Sequence, residues 1–252
     1  MGAGADLIAE RVGASRADCD AVAYLSHQRA LRAQREGRFT SVVPIKTRSG
    51  SVSLDECIRP SLTAERLAAM PPAFLALGAA GSDAVQLSQY PELTKIAHVH
   101  TAGNSPAMCD AAAVLLVGSK MLASDKGLIP KVRIVDSVTC CGEPLEVVSG
   151  CVAATKTILS RNKLSPSDVD VFEIHEAFAA TIVKLQRELE IDSARLNVNG
   201  GCIALGHPMG ATGAIMAGTA IDELIRCDGS IGVIAASGAA GSGSALLVER
   251  CY

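Results

Sequence analysis

Two histidines in this chain combine a residue type and a setting suited to proton or carbonyl chemistry. His207 lies in NVNGGCIALGHPMGATG, running from Asn197 to Gly213, where five glycines and a proline crowd around one imidazole. His175 follows the apolar run VDVFEI and opens HEAFAATIVKLQRELE. The first stretch reads as a strand and the second as a helix, which places His175 at a strand-to-helix junction, where side chains project from a sheet edge. Two imidazoles at the same edge of one sheet could hold a carbonyl oxygen or move a proton. Glycines beside His207 would let a ligand approach the backbone closely. Taken alone, the same residues fit tight turns and helix caps equally well. The spacing is no dinucleotide fingerprint, because no strand directly precedes it.

The elements that must position these histidines divide near residue 125. In the first part, SRADCDAVAYLSHQRALRAQREG predicts a helix with Ser15 as N-cap, Asp18 three residues on, and Gly37 as the stop. FTSVVPIKT reads as a strand. Prolines and glycines break up the chain from Ser49 to about Pro91. TKIAHVHTAGN reads as a strand entering a loop, followed by a small-residue helix from Pro106 to Ala113 and a short strand, VLLVGS.

The second part is more regular. KVRIVDSV is a strand, VVSGCVAATKTILSRN a helix, and SPSD a turn. VDVFEI should run directly into its helix, where Phe178, Ile182, Leu185 and Leu189 form one apolar face. After the glycine-rich loop, Ala214, Ala217, Gly218, Ile221, Leu224 and Ile225 give a narrow face for packing on a sheet. SIGVIAAS and SGSALLVER close the chain as a hairpin-like pair. The alternation predicts a layered, mixed α/β domain over residues 126 to 252.

Composition narrows the function classes. The 252 residues are 49% hydrophobic with a formal charge of −3 and no basic run, which argues against nucleic acid or anionic membranes as partners. No stretch reaches the roughly 20 apolar residues of a membrane span. The opening MGAGADLIAERVGASRAD is too polar for a secretory signal, so a cytoplasmic protein is expected. Nine cysteines without CxxC pairs point to reduced, mostly buried thiols and to no metal site.

Together these segments resemble the thiolases, enzymes that cleave 3-ketoacyl-CoA or condense two acyl-CoA units in fatty acid metabolism. NVNGGCIALGHPMGATGA resembles the family's histidine signature, and HEAF its NEAF segment in a form beginning with His. HVHTAGNSPAMCDAAAVLLVGS resembles the CoA-side segment, and SRADCDAVAYLSHQRALRAQREGRF the helix that opens the thiolase loop region. The similarity runs collinearly through essentially the whole chain. It implies that residues 1–125 are the loop region plus the end of the N-terminal half, and 126–252 the C-terminal domain.

The resemblance also assigns roles. His207 would help activate a nucleophile, and His175 would help form an oxyanion hole for the thioester oxygen. Asn104, Ser105, Gly206 and Gly238 would contact substrate. The acyl-accepting cysteine of the family belongs to a first half that this chain is expected to lack. Ser237, in SGAAGSG, stands where the family has its second catalytic cysteine, and a hydroxyl is a poor substitute for a thiolate base. Pro106 replaces a usual serine. Cys202 occupies a position where the family commonly has a small residue. No cofactor is implied beyond the CoA thioester as substrate. Three functions remain open: an acyltransferase subunit whose partner chain supplies the missing half, a non-catalytic acyl-CoA-binding or subunit-interaction protein, or a thioesterase using His207 and water. An absent half should leave an apolar face for a second copy or a partner.

Overall fold

The computed structural model describes residues 1–48 and 50–252. Ser49, where the irregular stretch was expected to begin, lies outside the described residues. The helices are α1 (Gly2–Val12), α2 (Arg16–Arg35), α3 (Ala64–Ala68), α4 (Leu75–Leu77), α5 (Asp83–Gln89), α6 (Lys120–Asp125), α7 (Gly150–Arg161), α8 (Ala179–Leu189), α9 (Cys202–Leu205) and α10 (Thr212–Arg226). The strands are β1 (Ile45–Thr47), β2 (Gly50–Val52), β3 (Val132–Cys141), β4 (Val171–Ile174), β5 (Ile231–Ser237) and β6 (Ser242–Arg250).

The larger sheet has the order β3-β6-β5-β4, with β4 and β5 parallel and the other pairs antiparallel. It is the mixed sheet expected for the C-terminal part. Side chains alternate between its two buried faces. Phe172, Ile174, Val233, Ala235, Ala245 and Leu247 pack under α7 with Val152 and Ile158, joined by Ile182 and Leu185 of α8. Val171, Ile234 and Val248 pack on the other face against Met216, Ala220 and Leu224 of α10. Each of the Val, Leu, Ile, Met and Phe side chains contributes roughly 1.5–3 kcal/mol on leaving water, so the two layers hold the sheet edge that carries His175.

Helix α2 starts where Ser15 predicts. Its hydroxyl accepts from the Asp18 N–H at 3.1 Å, and the Asp18 carboxylate accepts from the Ser15 N–H at 2.8 Å. Gly37, at φ +67°, follows its end.

Several sequence expectations for the first part do not hold. FTSVVPIKT pairs only over Ile45–Thr47, in an exposed two-stranded ribbon with β2, and short helices interrupt the stretch expected to be irregular. TKIAHVHTAGN forms no strand. Its donors are taken by acidic side chains of α1: the Ala97 N–H donates to Glu10, and those of Val99 and His100 donate to Asp6. With its backbone satisfied there, the segment has no ladder to join. Pro106 to Ala113 is not helical, because the Ala107 carbonyl accepts from the His207 N–H at 2.8 Å and Met108 bridges His207. VLLVGS is unpaired among the described residues, and Val114 is 93% exposed. A strand needs an edge to pair with, and among the described residues none pairs with this segment.

In the second part, VDVFEI does not run directly into a helix. The His175 N–H extends the ladder to the Ala235 carbonyl, and α8 begins four residues later, with an extended Phe178 as its N-cap. Phe178 therefore leaves the face of Ile182 and Leu185 and packs edge-on against Phe74 and His100. On α10, Ile225 is exposed, while Met216 and Ala220 complete the packing face. No helix among the described residues is long and apolar enough to cross a membrane.

Candidate active site

The parallel strands β4 and β5 end at one edge of the sheet, and the two histidines meet there. Their ring centroids lie 4.5 Å apart with planes inclined at 42°. His175 is 3% exposed, and neither ring nitrogen has a hydrogen-bond partner among the described residues. His207 is held at three points. Its backbone N–H donates to the Ala107 carbonyl, its Nδ1 shares a 2.8 Å hydrogen bond with the Thr212 hydroxyl, and Gly206 precedes it at φ +82°. A Cβ on Gly206 would lie 2.5 Å from Cys109 Sγ and 2.9 Å from Cys57 Sγ, so this residue must be bare for both reasons.

The rest of the glycine-rich loop is anchored by Glu176, which is buried. Its carboxylate accepts from the Ser26 hydroxyl at 2.7 Å, the Ile203 N–H at 2.9 Å and the Asn197 amide at 3.1 Å. Gly201 packs so closely on this carboxylate that a Cβ there would lie 2.6 Å from Oε1. The glycines thus serve close approach between the loop and its anchors.

Electrostatics keep both imidazoles neutral. Burial pushes His175 down to about 4, with the neighbouring His207 acting in the same direction and the Ser237 carbonyl, close to the ring without completing a hydrogen bond to it, opposing. Burial also lowers His207. A neutral imidazole offers one N–H donor and one acceptor nitrogen, so the pair can donate to a carbonyl oxygen or take up a proton. By nuclear magnetic resonance, the His175 ring signals are expected to titrate near pH 4; a midpoint near 6.5 would show that the ring is not desolvated as described.

The other sequence-chosen residues are placed differently. The Ser237 hydroxyl accepts from the Cys151 N–H at 2.8 Å and so caps the start of α7, where Ser149 supplies no side-chain cap. The Gly238 N–H donates to the Ser242 carbonyl and is not free for a ligand. Asn104 is fully buried, with its oxygen accepting from the Thr101 N–H and its amide donating to Asp20 and the Val99 carbonyl. Ser105 differs: its hydroxyl is buried without a partner among the described residues. Cys202 is buried, and its thiol is driven well above the ordinary range, chiefly by desolvation.

Sequence reasoning missed Glu176, Thr212, Cys57 and Cys109. Glu176 was in view, one residue after His175, and Thr212 lies five residues after His207. Nothing local marks the cysteines. Among the described residues, no group of three or more His, Cys, Asp or Glu could hold a metal ion.

The layered fold is that of an α/β protein with two neutral imidazoles side by side at one edge of its mixed sheet. Residues 128–250 match the family model for the thiolase C-terminal domain, and residues 1–89 match that for the thiolase N-terminal domain. The chain is 37% identical over 98% of its length to a 3-oxoadipyl-CoA/3-oxo-5,6-dehydrosuberyl-CoA thiolase of Escherichia coli (strain K12), of which 58% is covered. It is 35% identical over its whole length to a 3-ketoacyl-CoA thiolase of Bacillus subtilis (strain 168), of which 63% is covered. Among solved structures, a Bacillus anthracis acetyl-CoA acetyltransferase superposes on all of the chain with a TM-score of 0.84 at 34% identity, and 60% of that protein is covered. Human mitochondrial 3-ketoacyl-CoA thiolase gives a TM-score of 0.82 at 29% identity, with 98% of this chain and 59% of that one covered. This chain belongs to the thiolase family, and it spans about three fifths of the length of the relatives it matches.

Proposed function

We propose that this chain is an acyl-CoA acyltransferase component of thiolase type, in which His175 and His207 hold the thioester or 3-keto oxygen. The observation that carries this reading is His175: a buried neutral ring with both nitrogens unpartnered, set beside His207 in a thiolase-family chain. Burying two unpaired polar nitrogens costs free energy, and a ligand carbonyl at this edge would recover part of it. Gly206 would give a ligand room to approach His207, and the buried, unpartnered Ser105 hydroxyl, in the segment that resembles the family's CoA side, would offer a further donor. Acyl transfer through a covalent cysteine would then depend on a partner chain or segment supplying the family's nucleophile.

The exposed apolar residues from Met108 to Ile129, including Val114, Leu116, Val117 and Met121, suit coverage by a second copy or by such a partner. A second reading, acyl-CoA binding or subunit interaction without catalysis, is favoured by Ser237. Its hydroxyl is a weak acid already engaged by the Cys151 N–H, which leaves the second catalytic position without a base. Location in the cytoplasm remains part of the proposal.

Isothermal titration of the purified chain with acetyl-CoA and a longer acyl-CoA tests binding. We expect a saturable site that His175→Ala weakens about tenfold, the loss of one ordinary hydrogen bond. Thiolysis of acetoacetyl-CoA should stay at background. Turnover by the wild-type chain that vanishes in Cys202→Ala or Cys109→Ala would show that the chain carries its own nucleophile. Absence of any acyl-CoA binding, or a clean monomer by light scattering, would count against the corresponding part of the reading.

A further inference from the structure

Cys57 and Cys109 are 52 positions apart in sequence, yet both sulfurs converge on the bare Cα of Gly206. The two sulfurs, 2.5 Å and 2.9 Å from where a Cβ of Gly206 would stand, can be no farther apart than those two distances laid end to end. Both backbones are fixed. The Cys57 N–H donates to the Asp55 carboxylate at 2.7 Å, and the next residue, Ile58, packs with Ala30, Leu31 and Ala204 of α9. Cys109 follows Met108, whose backbone bridges His207. Both residues are half-buried, and both thiols are free.

We propose that Cys57 and Cys109 are a redox modification site, forming a reversible disulfide that clamps the loop around His207. The inference does not depend on the acyl-CoA reading. Desolvation, Asp55 and Cys109 itself push the Cys57 thiol up to about 11. With glutathione disulfide as oxidant, one cysteine of the pair attacks as its thiolate, forms a mixed disulfide and expels one glutathione thiolate. The other cysteine then loses its proton, attacks the protein sulfur of the mixed disulfide and releases the second glutathione. Two thiols give up two protons and two electrons, and glutathione disulfide takes them up as two glutathione molecules. The closed ring of about fifty residues joins the 55–58 turn to the 107–109 segment and restricts both in the unfolded chain.

The test is oxidation of the folded full chain with glutathione disulfide, followed by alkylation, digestion and peptide mass mapping. A Cys57–Cys109 peptide pair two hydrogens lighter than its reduced sum is expected, with the thiol titre in denaturant falling by two from nine. Dithiothreitol should restore it. Cys57→Ser and Cys109→Ser should each abolish the link and leave the remaining cysteine of the pair as a free thiol or a glutathione adduct. Exposed Cys141, Cys227 and Cys251 serve as controls for non-selective oxidation. Modification of those three with no Cys57–Cys109 link in the wild-type chain would overturn the proposal. The wild-type map decides the question even where a variant fails to fold, which circular dichroism would reveal.

Discussion

Replacing Asp6 by asparagine is expected to destabilise the folded chain by about 3–5 kcal/mol, as removing one partner of a buried ion-paired network does. Asp6 is fully buried in α1. Its Oδ1 accepts from the Val99 N–H, the His100 N–H and His100 Nδ1, the last at 2.7 Å, while Oδ2 lies 2.9 Å from His98 Nδ1. An asparagine keeps one acceptor oxygen but turns an NH2 group toward ring nitrogens and removes the charge. The backbone of residues 97 to 100 has no sheet to fall back on, so the lost acceptor strands buried donors. Urea unfolding would show the loss as a lowered midpoint with an unchanged slope; a wild-type midpoint would refute it.

The same network gives the stability profile its direction in pH. Burial lowers His98, but the Asp6 and Asp83 carboxylates outweigh it and leave the ring raised above its ordinary 6.5. The folded chain therefore binds this proton more tightly than the unfolded one. Its contribution is fully present below about pH 6.5 and fades as pH rises through the raised value. His175 and His27 behave oppositely, because burial holds both down to about 4. Their contribution is present above about pH 6.5 and is lost as pH falls toward 4. Asp6→Asn should flatten the alkaline limb and spare the acid one.

What the sequence made legible follows from what each signal needs. The Ser15 cap, the β5–β6 pair and the approach of His175 to His207 rest on local chemistry or on a regular alternation, and all three appear in the fold. Strands in the first part failed for the opposite reason. IAHVH has every propensity of a strand, but pairing is a property of two segments, and here α1 side chains claim its donors. The segment from Pro106 likewise yields its helix to a contact with His207, a hundred residues away. The site shows the same division. The histidines stood out by setting, whereas Ser237 and Asn104 have side chains spent on partners that only the folded chain reveals. Cys57 and Cys109 carry no local mark at all.

Glu176→Ala is expected to be the most damaging change at the site itself, costing about 3–5 kcal/mol by stranding three buried donors at roughly 1–3 kcal/mol apiece, less what relaxation recovers. The donors are the Ser26 hydroxyl from α2, the Ile203 N–H from α9 and the Asn197 amide, so one carboxylate joins the first part of the chain to two points of the loop on the N-terminal side of His207. Burial raises its pKa above the ordinary carboxylate range, and the three donors oppose that rise because each favours the carboxylate over the acid. Alanine would also open space beneath Gly201, where the backbone now rests on the carboxylate. Glu176→Gln keeps the volume and one acceptor oxygen but aims two N–H groups at donors, so its loss should fall between that of Glu176→Ala and that of Ser26→Ala, which removes one hydrogen bond worth about 1 kcal/mol. Urea midpoints ranked in that order would establish Glu176 as the anchor of the histidine loop. If Glu176→Ala unfolds at the wild-type midpoint, the loop owes its shape to its glycines alone, and the carboxylate is incidental to the position of His207.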